Sequence, residues 1–207
     1  MAYTYSVIIT GGTNGIGYHA ALKIAKDHPE YLVVIASRSD KNNAADAINK
    51  ALGQSNTIFM TLDLGSPADV RSFAKNWIAD KTKPQIQALV MNAALQFPKT
   101  LHLTDEGVEK TFAISHVGHA ILFHLLCPYL ATGARVVLTS SGTHDPAQNS
   151  GLPDVEGVTG KYFEGLREIK SSIDSYVERK QEDLWEWTVN YVAEGDAREV
   201  GRFQSFK

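Results

Sequence analysis

Short apolar runs alternate with helical stripes through the first two-thirds of the chain. Val7, Ile8 and Ile9 form a continuous apolar run, the pattern of a strand buried on both faces of a parallel sheet. A glycine-rich turn ends it at Gly11, Gly12, Gly15 and Gly17, and Ile16, Ala20, Ala21, Ile24 and Ala25 then recur at the spacing of one helical face. Tyr31 to Ala36 is the second run, rich in β-branched residues. A helix over residues 42–52 follows, with Ala45, Ile48 and Leu52 on one side and Gly53 as its stop. Thr57 to Leu62 is the third strand. Ser66 and Pro67 then open a helix whose stripe is Val70, Phe73, Ala74, Trp77 and Ile78. Ile86 to Met91 and Ala134 to Thr139 supply a fourth and a fifth strand. This alternation predicts an α/β fold, a doubly wound parallel sheet with right-handed crossovers. Residues 1–146 carry the pattern clearly. Residues 147–207 are a divergent helical or irregular region, and 1–207 as a whole reads as a single domain.

The order strand, glycine turn, helix makes a place for a phosphate. Glycines allow close approach of the backbone, and the helix N-terminus offers N–H groups and a positive dipole end. Gly11, Thr13, Asn14, Gly15, Ile16 and Gly17 form that turn. Its spacing, Thr10-Gly11-x-x-x-Gly15-Ile16-Gly17, is not the general G-x-G-x-x-G. The second strand ends in Ser37-Arg38, with no carboxylate to take a ribose 2′-hydroxyl and an arginine where a 2′-phosphate would lie. Arg38 as a plain solvated residue is the competing reading, and Asp40 keeps NAD open. Together with the glycine turn, the pattern favours NADP(H) over NAD.

Composition narrows the function classes. The 207 residues are 43% hydrophobic and 21% charged, values of an ordinary globular chain. A net charge of -3 gives no reason to expect nucleic acid or an anionic membrane as partner. No apolar run is long enough to span a bilayer and the N-terminus lacks signal-peptide shape, so a cytoplasmic protein is expected. The single cysteine, Cys127, leaves no internal disulfide and no cysteine-based zinc cluster, and its apolar setting makes it a core residue. His116 and His119 lie three apart on a helix without an acidic or cysteine partner at ligand spacing, so no metal is expected.

Several segments in order resemble the short-chain dehydrogenase/reductase family. The glycine turn matches its T-G-x-x-x-G-[IL]-G motif. Asp63-Leu64 resembles the pair whose aspartate meets the adenine amino group, with a simple turn residue as the alternative. Met91-Asn92-Ala93-Ala94 is a partial match to N-N-A-G, which implies that Asn92 stabilises the central sheet and Ala93 lines the adenosine side. Thr104 to His119 is similar to retinol-dehydrogenase-like members, with Ser115 where the family has a proton-relaying asparagine. Ser141, at the end of the fifth strand, coincides with the family's catalytic serine.

The family's tyrosine and lysine are matched by Tyr176-Val-Glu-Arg-Lys180, well beyond Ser141. Helical spacing would put Tyr176 and Lys180 on one face with Ile173, Val177, Leu184, Trp187 and Tyr191, after an irregular excursion from Gly142 to Ser175. Such a tetrad-spaced pair also arises by chance, and the acidic sequence after Lys180 departs from the family. The resemblance implies an NADP(H)-dependent oxidoreductase that reduces a carbonyl or oxidises a secondary alcohol on a small-molecule substrate. Ser141 would orient the substrate, Tyr176 would carry the proton, Lys180 would tune it, and Ser115 would stand in the relay. The later strands that grip the nicotinamide have no counterpart. The alternative is therefore a nucleotide-binding relative without redox turnover, and a homo-oligomer stays open.

Overall fold

The apolar runs become one sheet. The computed structural model describes residues 3–97, 99–141, 162–164, 167–169 and 173–205. Its contacts fall into two units, Met1–Thr139 and Ser140–Lys207. In the first, β1 (Tyr5–Thr10), β2 (Tyr31–Ser37), β3 (Thr57–Thr61), β4 (Ile86–Met91) and β5 (Leu130–Leu138) form a parallel sheet in the order β3-β2-β1-β4-β5. Helix α1 (Gly15–Asp27) joins β1 to β2, α2 (Ala44–Leu52) joins β2 to β3, and α3 (Pro67–Ala79) joins β3 to β4. The strand order reverses beside β1, the arrangement in which the connections leaving neighbouring strands part and a crevice lies outside the strands' carboxyl ends.

The unbroken apolar character of β1 and β2 follows from cover on both faces. Ile8, Ile9, Val33, Val34 and Ile35 are fully buried. On one side Val7, Ile9, Val33 and Ile35 pack with Ala21 and Ala25 of α1 and Ala44, Ala45 and Ile48 of α2. Small residues on the helices let them lie close to the sheet. Helix α3 opens as its sequence predicts, with Ser66 Oγ accepting the Asp69 N–H at 3.3 Å. Gly53 ends α2 in the left-handed region (φ 63°), where a side chain would be strained.

The next helical stretch is broken in character. A short α4 (Lys110–Phe112) leads through a π turn (Ala113–Val117) into α5 (Gly118–Leu126), which packs against α3. By length and composition alone the 20 residues Lys110–Tyr129 could cross a membrane, but half of the stretch is buried inside the fold, as in a core helix. Cys127 is only partly buried, with its thiol donating to the His124 carbonyl, and so sits at the edge of the core.

Two further expectations change. Ile16 fits the spacing of the buried face of α1 but is 73% exposed, because the first turn of the helix looks into the crevice and not onto the sheet. The fifth strand starts at Leu130, earlier than Ala134, and is largely exposed. Its register breaks opposite Ile86 and Ala88, around Gly133 (φ 74°), and Leu138 is 67% exposed. Among the described residues β5 is an edge with β4 as its one neighbour, so its side chains lack the second cover that the inner strands have.

In the second unit, β6 (Tyr162–Glu164) and β7 (Arg167–Ile169) pair antiparallel, where the sequence predicts an irregular excursion. Residues 142–161 of that excursion lie outside the described residues. A 3₁₀ turn (Ile173–Tyr176) precedes α6 (Glu178–Ala193) and α7 (Ala197–Gln204). Helix α6 buries Thr188, Val189, Val192 and Ala193, and Trp185 meets Phe203 of α7 edge-on at 5.8 Å. The expected single helical face through Tyr176 and Lys180 is not formed. Tyr176 ends the 3₁₀ turn, and Val177 is extended (φ -81°, ψ 101°) before the helix begins.

Candidate functional site

The crevice at the carboxyl ends of β1, β2 and β4 is a cleft of about 660 Å³. The glycine turn forms its floor. Gly11 and Gly15 adopt positive φ (68° and 53°), and a Cβ on Gly17 would lie 2.4 Å from the Gly11 carbonyl oxygen and 2.6 Å from Asn92 Nδ2. Only glycine permits that closeness. Asn14 precedes α1 without a side-chain cap, and no acidic residue occupies the first turn, so the helix N-terminus facing the cleft keeps its positive dipole end uncapped by its own first turn. Thr13 donates to Ser37 Oγ at 3.2 Å and ties the turn to the end of β2.

Along the β2 side the wall is cationic. Arg38 lines the cleft, and so does Lys41, which the sequence pattern does not single out. Among the described residues neither has an ion-pair partner. Asp40, the residue that keeps NAD open in the sequence, is turned to another task. Its carboxylate accepts the Ala44 N–H at 2.7 Å and the Ala45 N–H at 3.4 Å, holding the start of α2, and it does not line the cleft. Asp40→Ala is therefore expected to cost about 1 kcal/mol of stability, the usual worth of a helix cap. It should leave dinucleotide affinity unchanged, and paired denaturation and binding curves check both.

On the β3 side, Asp63 and Leu64 line the cleft. Asp63 Oδ1 also accepts the Gly65 N–H at 2.8 Å, so the turn role foreseen as an alternative is present beside the cleft position. The far wall is Asn92 and Ala93, fixed by a network around Thr10. Thr10 Oγ1 accepts from the backbone N–H of Asn92 (2.9 Å) and of Ala93 (3.0 Å), and lies 2.9 Å from His119 Nε2. Asn92 Nδ2 donates to the Thr10 carbonyl at 3.1 Å, and Thr139 donates to Asn92 Oδ1 at 3.2 Å. Gly118 lets α5 reach this region, since a Cβ there would meet the Leu64 carbonyl oxygen at 2.3 Å.

The residues expected to do chemistry, Ser115, Ser141, Tyr176 and Lys180, are all exposed. Ser115 lies in the π turn with its side chain exposed; Ile114 of the same turn lines the cleft and Ser115 does not. Its carbonyl is 3.2 Å from His119 Nδ1. Ser141 follows the end of β5 and is exposed. Tyr176 is 57% exposed, and Lys180 is exposed in the first turn of α6. His116 and His119 are both held below the usual histidine range by burial. Among the described residues no three His, Cys, Asp or Glu side chains converge as a metal site would require.

Comparisons with known proteins fall on the same part of the chain. A family profile described as "short chain dehydrogenase" matches residues 5–150. A Bos taurus protein, dehydrogenase/reductase SDR family member 13, is 33% identical over 141 residues, covering 67% of this chain and 36% of the relative. The WW domain-containing oxidoreductase of Gallus gallus is 36% identical over 140 residues, covering 67% and 33%. The chain thus spans about a third of the length of these curated relatives. Among solved structures, an alcohol dehydrogenase from the archaeon Thermococcus sibiricus, complexed with 5-hydroxy-NADP, superposes with a TM-score of 0.57 at 21% identity, covering 70% of this chain and 61% of that one. A putative short chain dehydrogenase from Escherichia coli CFT073, complexed with NADPH, gives 0.56 at 20% identity, covering 71% and 63%.

Proposed function

The chain belongs to the short-chain dehydrogenase family, and on that premise we propose that it is an NADP(H)-dependent oxidoreductase acting on a carbonyl or a secondary alcohol of a small-molecule substrate. One observation carries the cofactor choice. At the end of β2 the cleft presents Arg38 and Lys41, while the carboxylate of Asp40 is committed to the start of α2. A 2′-phosphate fits two cations there; a bare ribose 2′-hydroxyl would want the carboxylate. The cleft suits the rest of a dinucleotide, with the glycine turn and uncapped α1 to take the pyrophosphate. When bound, the nicotinamide would supply hydride transfer to or from the carbonyl carbon. Asp63 would take the adenine amino group, Asn92 would stabilise the central sheet, and Ala93 would line the adenosine side. Ser141 would orient the substrate oxygen, Tyr176 would hold the mobile proton on its phenol oxygen, and Lys180 and Ser115 would support that proton's passage.

The second reading, a dinucleotide-binding relative without turnover, draws support from the extended Val177. That residue separates Tyr176 from the helix carrying Lys180. Both readings require binding, and the first test is a titration with NADPH and NADH followed by nicotinamide fluorescence and thermal midpoint. At a hundredfold excess over Kd the ligand should stabilise the fold by about 2.7 kcal/mol. Arg38→Asp should weaken NADPH binding by about tenfold or more and NADH far less, since it removes a charge-assisted bond to the 2′-phosphate. Equal losses for the two cofactors would sink the NADP assignment. No response to either would sink the dinucleotide reading.

A further inference from the structure

The Thr10 hydroxyl dictates the chemical state of a buried histidine. Its oxygen accepts the N–H groups of Asn92 and Ala93, and a hydroxyl has two lone pairs and one proton. Both acceptor positions are filled. The remaining contact, 2.9 Å to Nε2 of His119, must use the hydroxyl proton, with the ring nitrogen accepting. The other acceptor in reach, the Val90 carbonyl, lies at 3.5 Å, too far to compete. Across the ring, Nδ1 faces the Ser115 carbonyl oxygen at 3.2 Å. A carbonyl can only accept, so Nδ1 carries the proton. Two independent counts of donors and acceptors give the same species: a neutral His119, protonated at Nδ1 and bare at Nε2.

Protonating Nε2 would turn an N–H toward an oxygen whose lone pairs are already used. His119 is 5% exposed. Burial is the main cause that keeps it below the usual histidine range; the Ser115 carbonyl works the other way and the charge of His116 adds to the lowering. Among the described residues His116 is the one charge that acts on it. Thr10 comes from β1, Asn92 and Ala93 follow β4, and the buried face of α3, which packs on α5, is Val70, Phe73, Ala74 and Trp77. The titratable neighbour is His116, stacked on Phe112 at 5.0 Å and itself lowered by burial.

We propose that His119 is a positioning residue of the cleft: as a neutral acceptor it fixes the Thr10 hydroxyl, which holds the Asn92–Ala93 wall beside the glycine turn, and its protonation loosens that wall and weakens dinucleotide binding. The proposal rests on the reading of the cleft as a dinucleotide site. The closeness of wall and turn makes the coupling direct, since a Cβ on Gly11 would lie 3.1 Å from Ala93 Cα. The sign is that of a depressed histidine. The ordered arrangement is fully present above the unfolded value of about 6.5 and is lost as pH falls from there through the lower folded value.

The test is calorimetric titration with NADP⁺ at pH 7.5 and pH 5.5, on the wild-type chain and on His119→Gln. The glutamine amide oxygen accepts from Thr10 at either pH. Wild-type affinity should fall by a few-fold more than that of the variant, as linkage to a histidine whose protonation opposes binding requires. Titration of the ligand's own phosphate is common to both proteins and cancels in the ratio. Equal profiles, or a flat wild-type profile, overturn the role of His119 while leaving the cofactor reading intact. Failure of the wild type to bind NADP⁺ at pH 7.5 removes the cofactor reading and this proposal with it. If His119→Gln does not fold, long-range ¹H–¹⁵N spectra of the labelled wild type decide. A bare Nε2 at pH 7.5 that gains a proton as binding weakens supports the proposal; a proton on Nε2 at pH 7.5 overturns it.

Discussion

Tyr176→Phe should lower kcat by about 10²- to 10⁴-fold, the usual worth of a positioned acid–base group, while NADPH binds as in the wild type. The split follows from the role proposed for the residue, which exchanges a proton with the substrate oxygen and makes none of the proposed dinucleotide contacts. What is removed is the one proton a phenol can exchange with a carbonyl oxygen. Tyr176 ends a 3₁₀ turn and Lys180 lies in the first turn of α6, with extended Val177 between them. A pair joined by such a hinge is not fixed by helical geometry in the way that neighbours on one helix are. Lys180→Met is therefore expected to lower kcat by less than Tyr176→Phe. Turnover unchanged in Tyr176→Phe would move the proton donor to another side chain and leave the cofactor assignment standing.

The inner sheet was legible because its signals are local. Each of β1 to β4 lies between neighbours on both sides except β3, and the apolar runs at Val7–Ile9 and Leu32–Ala36 record that burial directly. The cap of α3 was legible for the same reason, since Ser66 and Asp69 are three residues apart. Exposure of β5 was not, because it depends on whether a further strand lies beside it, which no residue of β5 encodes. Ile16 fits the helical period of α1, yet the first turn of the helix faces the crevice, and periodicity does not record direction. Asp40 and Lys41 exchanged importance for a geometric reason. The chain turns between β2 and α2 so that the carboxylate meets backbone N–H groups while the ammonium stays on the cleft wall. Periodicity also misled at Tyr176, where the spacing continues through a residue, Val177, whose backbone is extended.

Thr10→Val is the second large effect, expected to cost about 2–4 kcal/mol of stability through the loss of one hydroxyl. Valine keeps the shape and the β-branched preference for a strand, so packing is preserved. The cost is that of stranded partners. The N–H groups of Asn92 and Ala93 lose their acceptor, and Nε2 of His119 loses its donor inside a residue that is 5% exposed. A buried polar atom left unpaired costs about 1–3 kcal/mol, and the two amides are only partly buried, so the sum sits near the lower end of three such losses. For a chain of this size the thermal midpoint should fall by roughly 4–16 °C. Thr10→Ser, which retains the hydroxyl, should recover most of the difference. If the threonine served only to fill space at the end of β1, valine would be harmless and serine the damaging change. The two substitutions therefore rank oppositely under packing and under hydrogen bonding, and a pair of melting curves separates them.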